Sequence, residues 1–133
     1  MAAILLDTHI LIWWRIDSKR LSRVQVRRLQ DLESRQEPIG ISAITLWEIA
    51  MLSARGRIEI AEPLEVWLDE IERHALIEVM PLTARIAAES VQLGPDFHND
   101  PADQMIVATA RVHGLPLMTA DERIRSWGKV PVL

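Results

Sequence analysis

Short apolar segments alternate with longer segments of helical periodicity, and this alternation most restricts the folds that the chain can adopt. The predicted strands are residues 3–6, 38–41, 77–80 and 115–119, and residues 130–133 would add a fifth at the edge. The predicted helices are residues 9–16, 20–34, 43–55, 65–75, 82–93, 102–114 and 121–127. Short buried strands joined through helices favour a parallel sheet covered on both faces. We therefore expect an α/β fold with a central, mostly parallel sheet of four or five strands flanked by helices.

The size and composition of the chain fit a single soluble globular domain spanning residues 1–133. Its 133 residues can bury one core, and 49% hydrophobic with 26% charged residues is ordinary for a globular protein. The apolar run at the start is interrupted by Asp7, has no basic leader and falls short of the roughly 20 residues that span a bilayer. The chain has no cysteine, which excludes disulfides and a thiol nucleophile. We expect neither export nor membrane insertion, and a cytoplasmic location.

The charge is distributed unevenly along the chain. The net charge of -4 argues against a protein that grips nucleic acid mainly through a basic surface. Residues 15–35 are nevertheless basic, whereas residues 59–78 carry seven acidic side chains against Arg73 alone. A polyanion would avoid the acidic segment, so the basic segment is the candidate surface for a polyanionic partner.

Two carboxylates stand alone among apolar residues. Asp7 is the only charged residue in 1–14, and Glu48 is the only one in 38–54. Burying an ionised carboxylate without a partner costs several kcal/mol or forces its protonation. Such a position therefore indicates an ion pair, a metal ligand, or a place at the end of a strand or helix.

Three further aspartates lie close to predicted strand or helix ends. Asp121 directly follows the strand at 115–119, Asp103 falls in the first turn of a helix, and Asp100 precedes that helix. Helix capping is the simpler interpretation of Asp7, Asp100 and Asp121 taken one at a time, and Asp103 suits the positive end of a helix dipole. Glu48 escapes that explanation because it lies about two turns inside its helix, although a salt bridge remains an alternative for it.

The convergence of these acids favours chemistry over capping. In a parallel sheet the carboxyl ends of the strands meet at one edge, and ligands gather there. Four or five carboxylates in one place repel each other unless a cation neutralises them. Hard oxygen ligands suit Mg²⁺ or Mn²⁺, and hydrolysis of a phosphodiester is the reaction that such a site favours.

The histidines and tryptophans give less information about the function of the chain than the acids do. No pair of histidines has a recognised metal-ligand spacing, so all four are interpreted as structural or surface residues, with His98 the least certain of them. Four tryptophans occupy apolar helical positions, which favours core packing over base stacking. These are Trp13, Trp14, Trp47 and Trp67.

Four sequence blocks in order carry a resemblance to a known family. They are LLDTHILIWW, ISAITLWEIAML, HNDPADQMIVATA and GLPLMTADERIRSWG, and together they extend over nearly the whole chain. The chain resembles the PIN-domain ribonucleases of the VapC type, which are the toxins of bacterial toxin-antitoxin pairs. The resemblance implies a PIN-like α/β fold.

Carried over block by block, the resemblance implies metal-binding and catalytic acids at Asp7, Glu48, Asp103 and Asp121. Asp100 is an additional acid of the third block, and Thr8 and Thr119 occupy supporting polar positions. The third block departs from the common form DPFDR, because Ala102 and Gln104 replace the phenylalanine and the arginine. The contribution of that arginine is therefore expected to be missing or to come from elsewhere.

The activity implied by the resemblance is that of an endoribonuclease dependent on Mg²⁺ or Mn²⁺ that cuts tRNA, rRNA or mRNA. The resemblance also implies a homodimer and a cognate VapB-type antitoxin, whose release would let the enzyme inhibit translation and growth. The candidate RNA-binding residues come from the basic segment, for which a merely solvated helix is the alternative. They are Arg15, Lys19, Arg20 and Arg23.

Two other classes of protein remain to be weighed. A PIN-like module that binds RNA or protein without cutting would gain nothing from clustered negative charge. A receiver-type phosphoryl-transfer domain would need paired acids early in the chain and a lysine in a suitable context late in it. The chain has only Asp7 among its first 14 residues, and its only late lysine, Lys129, lacks that context. The intact set of acids therefore favours the nuclease.

Overall fold

The computed structural model describes all residues 1–133, which form four strands and seven α-helices. The strands are β1 (Leu5–Leu6), β2 (Ile39–Ser42), β3 (Ile77–Met80) and β4 (Leu117–Met118). The helices are α1 (Thr8–Ile16), α2 (Arg23–Ser34), α3 (Ala43–Ala54), α4 (Leu64–Arg73), α5 (Ala84–Ser90), α6 (Pro101–His113) and α7 (Glu122–Trp127). None of these helices is both long enough and apolar enough to cross a membrane.

The sheet confirms the predicted α/β fold class. Its strand order is β3-β2-β1-β4, and every neighbouring pair is parallel. Leu5 of the central strand β1 pairs with Gly40 on one side and with Leu117 on the other. The fifth strand expected at 130–133 is reduced to a single parallel bridge between Leu117 and Val132. The N–H of Thr119 also donates to Leu133 O at 3.4 Å, but Pro131 has no N–H, so the pairing does not extend toward Leu115.

Two apolar clusters cover the two faces of the sheet. Ile4 and Leu6 belong to one cluster, whereas Leu5 belongs to the other, because successive strand residues point to opposite faces. Fully burying a side chain of this size stabilises the fold by about 1.5–3 kcal/mol. The helices therefore hold β1 from both sides, and this fixes the position of the residue that follows it.

Capping explains where helices depart from their predicted bounds. Helix α2 begins at Arg23 rather than near 20, because Ser22 and Gln25 form a reciprocal capping box in which each side chain accepts from the other residue's N–H. A short 3-10 helix, Ser18–Arg20, precedes it. Helix α5 is shorter than the predicted 82–93, since Thr83 caps it at one end and it ends at Ser90.

The tryptophans divide between core and surface. Trp67 is buried, and Trp13 and Trp14 are half-buried against the larger core cluster. The prediction of core packing is wrong for Trp47, which is 56% exposed. Helix α3 is apolar nearly all round its circumference, so sequence periodicity alone does not identify the face that packs on the sheet.

Candidate active site

Asp7 lies immediately after β1 and is held there by hydrogen bonds. Its side chain is 2% exposed, Oδ1 accepts from Thr8 N at 2.8 Å, and Oδ2 accepts from Thr119 Oγ1 at 2.7 Å. Burial raises the pKa of Asp7, whereas nearby His9 and these hydrogen bonds act in the opposite direction. The residue caps α1, as the simpler interpretation expected, and in addition presents a buried carboxyl at the sheet edge.

Glu48 reaches the same edge from the side of α3. The hydroxyl of Thr8 donates to Glu48 Oε1 and lies 3.1 Å from the hydroxyl of Thr45. Burial raises the pKa of Glu48 to about 7, with further upward contributions from Asp103 and Asp7. Glu48 thus takes no part in an arginine salt bridge, which was the alternative for it.

Helix α6 supplies Asp100 and Asp103. Asp100 is the N-cap, and its Oδ1 accepts from Asp103 N at 3.2 Å. Asp103 is 7% exposed, and burial raises its pKa to about 6 while the hydrogen bond from His98 opposes that rise. Capping therefore accounts for the position of Asp100, but Asp103 is a buried carboxyl that points into the acidic cluster.

Asp121 lies two residues beyond Thr119 and caps α7. Its Oδ1 accepts from Arg123 N at 2.9 Å, and its Oδ2 lies 3.0 Å from Arg123 Nη2. Burial by itself would raise the pKa of Asp121, but the hydrogen bonds from Arg123 outweigh it and hold that pKa below its ordinary value. Asp121 is accordingly held in its ionised form.

The carboxyl oxygens come together in two overlapping groups. In one group, ligand atoms of Glu48, Asp100 and Asp103 all lie within 4.8 Å of one another, and in the other those of His98, Asp103 and Asp121 do so. Asp103 is common to both groups. Asp7 belongs to neither group, but its charge is near enough to raise the pKa of both Glu48 and Asp103. Oxygen donors that repel each other in this way fit a hard divalent cation such as Mg²⁺ or Mn²⁺.

Sequence interpretation missed two residues of this cluster. His98 was expected to be structural or on the surface, but its Nε2 lies 2.7 Å from Asp103 Oδ2. Gln104, at the position where the resemblance implies an arginine, donates from its side chain to His98 O at 3.2 Å and so holds the loop that carries His98. The one sequence feature that could have indicated this contact is the short spacing from His98 to Asp103. That spacing does not predict a contact, because the direction of a loop side chain does not follow from the sequence.

Arg123 is the second missed residue. Besides Asp121 it contacts Asp103, with 3.4 Å between Arg123 Nη2 and Asp103 Oδ2. Gln104 occupies the position where the resemblance implies an arginine, and Arg123 brings a guanidinium to the cluster from α7. The position of Arg123 two residues after Asp121 suggests the cap bond from its N–H to Asp121, but not the contact of its guanidinium with Asp103.

Arg20 is the one basic residue of the basic segment that lines a groove together with Thr119. The groove is lined by both Arg20 and Thr119, and the Arg20 guanidinium lies 4.6 Å from the centre of the Trp13 ring. Lys19 and Arg23 line a neighbouring depression on α2, and Arg15 packs over Trp14 instead. Of the four candidate RNA-binding residues, Arg20 is therefore the one that shares a groove with a residue bonded to an acid of the cluster.

Comparison with known proteins agrees with the fold and shows the family of the chain. A family model described as PIN domain matches residues 4–130. Ribonuclease VapC22 of Mycobacterium tuberculosis is 35% identical over 126 residues, which cover 95% of this chain and 92% of that protein. A toxin-antitoxin complex from Klebsiella pneumoniae contains a chain with 28% identity and a TM-score of 0.60, over 98% of this chain and 95% of that one. VapBC2 from Rickettsia felis was solved bound to a DNA fragment from its promoter. Its matching chain has 16% identity and a TM-score of 0.71, over 98% of this chain and 96% of that one. At this identity the likeness supports the fold alone.

Proposed function

Because the chain belongs to the PIN-domain family, we propose that it is a VapC-type endoribonuclease that hydrolyses RNA phosphodiester bonds as the toxin of a toxin-antitoxin pair. In this proposal residues 1–133 act as one PIN domain. The observation that carries it is the buried acidic cluster, in which Asp7, Glu48 and Asp103 all have raised pKa values. A fold does not keep such mutually repelling groups together for stability, so a function that needs them is the better explanation.

The cofactor in this proposal is Mg²⁺ or Mn²⁺. Asp7, Glu48, Asp103 and Asp121 would hold it, with Asp100 and His98 as additional donors that share the cluster with Asp103. When bound, such an ion supplies Lewis acidity that lowers the pKa of a water and places positive charge opposite the scissile phosphate.

The side chains of the cluster divide the remaining work. Thr8 and Thr119 donate hydrogen bonds that orient the carboxyls of Glu48 and Asp7. Glu48, whose pKa burial raises to about 7 when no cation is bound, is in this proposal a ligand of the ion or orients the attacking water. Arg123 is 61% exposed and can turn from the carboxylates to a phosphate oxygen of the substrate.

The proposed macromolecular partners are an RNA substrate, a cognate VapB-type antitoxin and a second copy of the chain. A relative named as a ribonuclease at 35% identity supports RNA as the substrate, and tRNA, rRNA and mRNA are the candidates. A solved toxin-antitoxin complex at 28% identity supports the antitoxin. A PIN-like module that binds without cutting is the alternative, and it gives no reason for the clustered carboxylates.

Purified protein incubated with tRNA, rRNA or a single-stranded RNA tests the activity, with Mg²⁺ or Mn²⁺ compared against EDTA. We expect cleavage that requires the ion, and none from the Asp7→Asn variant, whose fold is checked by circular dichroism. Asp69→Asn is the matched control because Asp69 is an exposed acid of α4 remote from the cluster. Cleavage by Asp7→Asn at the wild-type rate, with contaminating nuclease excluded, would refute the proposal.

Expression of the chain in growing bacteria without a partner tests the role as a toxin. Growth and protein synthesis should stop with the wild-type chain and continue with Asp7→Asn at equal expression. Equal growth of the two strains would leave a nuclease without the toxin role.

A further inference from the structure

A groove of about 640 Å³ opens beside the acidic cluster and shares Thr119 with it. Its lining includes Trp13, Arg20, Val24, Ala120 and Arg125. We propose that this groove binds the base of a nucleotide next to the cleaved bond in single-stranded RNA, with the base stacked at Trp13 and Arg20. The inference rests on the proposed function and adds to it a binding site for the substrate.

A series of hydrogen bonds and one ring contact connects the acidic cluster at Asp7 to the groove at Trp13. Thr119 Oγ1 donates to Asp7 Oδ2 at 2.7 Å, and the next residue, Ala120, donates its N–H to His9 Nε2 at 2.9 Å. The His9 ring in turn packs against the Trp13 ring, with 4.9 Å between centroids. A nucleotide in the groove would therefore lie beside the carboxyls, at the distance of one or two side chains.

Trp13 offers the groove an aromatic surface. The indole is half-buried, and the Arg20 guanidinium lies 4.6 Å from its ring centre. Bases in single-stranded RNA stack on aromatic rings and on guanidinium planes, and this preference tolerates any sequence because every base has a π-face. Val24, which is 68% exposed at the groove, adds apolar surface.

The charges of the groove also favour RNA. The acidic cluster repels phosphates, so an RNA that is cut there needs cations close by. Arg20 and Arg125 supply two, against Glu122 as the one acidic side chain in the lining. Arg125 is held in place because its Nη1 donates to the main-chain oxygens of Thr119 at 3.0 Å and Leu133 at 3.1 Å. An indole with one guanidinium over its ring and a second cation in the same groove matches a base flanked by phosphates better than it matches a peptide.

Two variants test the groove, and each has a matched control. Trp13→Leu removes the aromatic surface, and Trp14→Leu is its control, because Trp14 is equally half-buried, packs under Arg15 and lies outside the groove lining. Val24→Glu adds a negative charge at an exposed groove position without disturbing the core. Val66→Glu is its control, on the exposed face of α4.

Binding and cleavage are measured separately. The Kd for a fluorescein-labelled single-stranded RNA of mixed sequence is measured by fluorescence anisotropy in EDTA, and kcat and KM for the same RNA are measured with Mg²⁺. We expect Trp13→Leu to raise Kd and KM by about 5- to 150-fold, while kcat changes less. This fold-change corresponds to the loss of the stacking free energy of one base on an aromatic ring. Val24→Glu should raise Kd and KM in the same direction, and both controls should match the wild type.

The two readouts separate failure of the inference from failure of the proposed function. Wild-type Kd values in both groove variants would overturn the base-binding site even if the enzyme cleaves RNA, and would leave the groove to a protein partner. Absence of detectable RNA binding by the wild type would also overturn it. Trp13-dependent binding with no cleavage under any divalent cation would instead support the groove and refute the nuclease.

Discussion

Thr119 Oγ1 lies 2.7 Å from Asp7 Oδ2, which joins two residues that are 112 positions apart in the sequence. Each is the first residue after a strand, and the parallel pairing of β1 with β4 brings the two strand ends together. The bond gives the 2% exposed carboxyl of Asp7 a second donor besides Thr8 N. The supporting threonine thus orients the acid and offsets part of its cost of burial.

Thr119→Val should lower the free energy of unfolding by about 1–3 kcal/mol, because it leaves the buried Asp7 carboxyl one donor short and removes the acceptor of the Asp121 N–H. It should also raise the pKa of Asp7 further, since that hydrogen bond stabilises the ionised form. Urea unfolding near pH 7 measures the loss. Thr119→Ser retains the hydroxyl and is the control, and a loss as large as that of the valine variant would show that the methyl group rather than the hydrogen bond matters.

Asp100→Ala should lower the free energy of unfolding by about 1 kcal/mol, because Asp100 caps α6 through the N–H of Asp103. Cleavage should decrease only mildly if capping is its main role. Asp100→Asn separates the cap from the charge, since the amide oxygen still accepts from that N–H. Thermal unfolding and cleavage rates of both variants check this, and complete loss of cleavage in a stable Asp100→Asn protein would make Asp100 a metal ligand instead.

The fold and the positions of four acids could be predicted for a simple physical reason. Short apolar strands joined through helices favour a parallel sheet, and a parallel sheet gathers its strand ends at one edge. Asp7 and Asp121 follow strands directly, and Glu48 is conspicuous because it is the only charge in an apolar helix. Local sequence therefore carries enough information to place these side chains.

The residues that were missed depend on contacts that local sequence does not encode. His98 reaches Asp103 because a loop folds back over the start of α6, and Arg123 reaches Asp103 across the gap between α6 and α7. Trp47 is exposed although its helix is apolar on nearly every side, so its orientation is set by tertiary packing. Each of these outcomes depends on how two elements meet, which periodicity does not predict.

Glu48 should make the stability of the metal-free protein depend on pH. Its pKa is about 7 in the fold against an ordinary value of 4.5, so the folded state holds a proton that the unfolded state releases. The stability that this proton provides is fully present below pH 4.5 and is lost as the pH rises through 7. Asp103, with a pKa of about 6, acts in the same direction over a lower range.

Glu48→Gln should therefore flatten this dependence. Between pH 4.5 and 8 the wild-type protein in EDTA should lose about 1–2 kcal/mol more of its free energy of unfolding than the variant does, allowing for partial solvent exposure of the carboxyl. Urea unfolding across that range measures the difference. Glu70→Gln, at an exposed position of α4, should follow the wild-type curve. Parallel curves for Glu48→Gln and the wild type would show that Glu48 titrates normally.

Removal of the Arg123 side chain should affect divalent cations and RNA in opposite directions. The guanidinium lies 3.0 Å from Asp121 Oδ2 and 3.4 Å from Asp103 Oδ2, so it competes with a metal ion for the same oxygens. Because Arg123 is 61% exposed, its ion pairs contribute no more than about 1 kcal/mol, and Arg123→Gln should tighten Mn²⁺ binding by about two- to fivefold. Calorimetric titration with Mn²⁺ at pH 8 measures this, and Arg85→Gln, at an exposed position of α5, is the control.

The same Arg123→Gln protein should show a higher KM for RNA, since it has lost a cation that can meet the phosphate. Weaker Mn²⁺ binding would instead mean that Arg123 positions Asp103 and Asp121 for the ion, and that its pairing with them supports the site rather than competing for it.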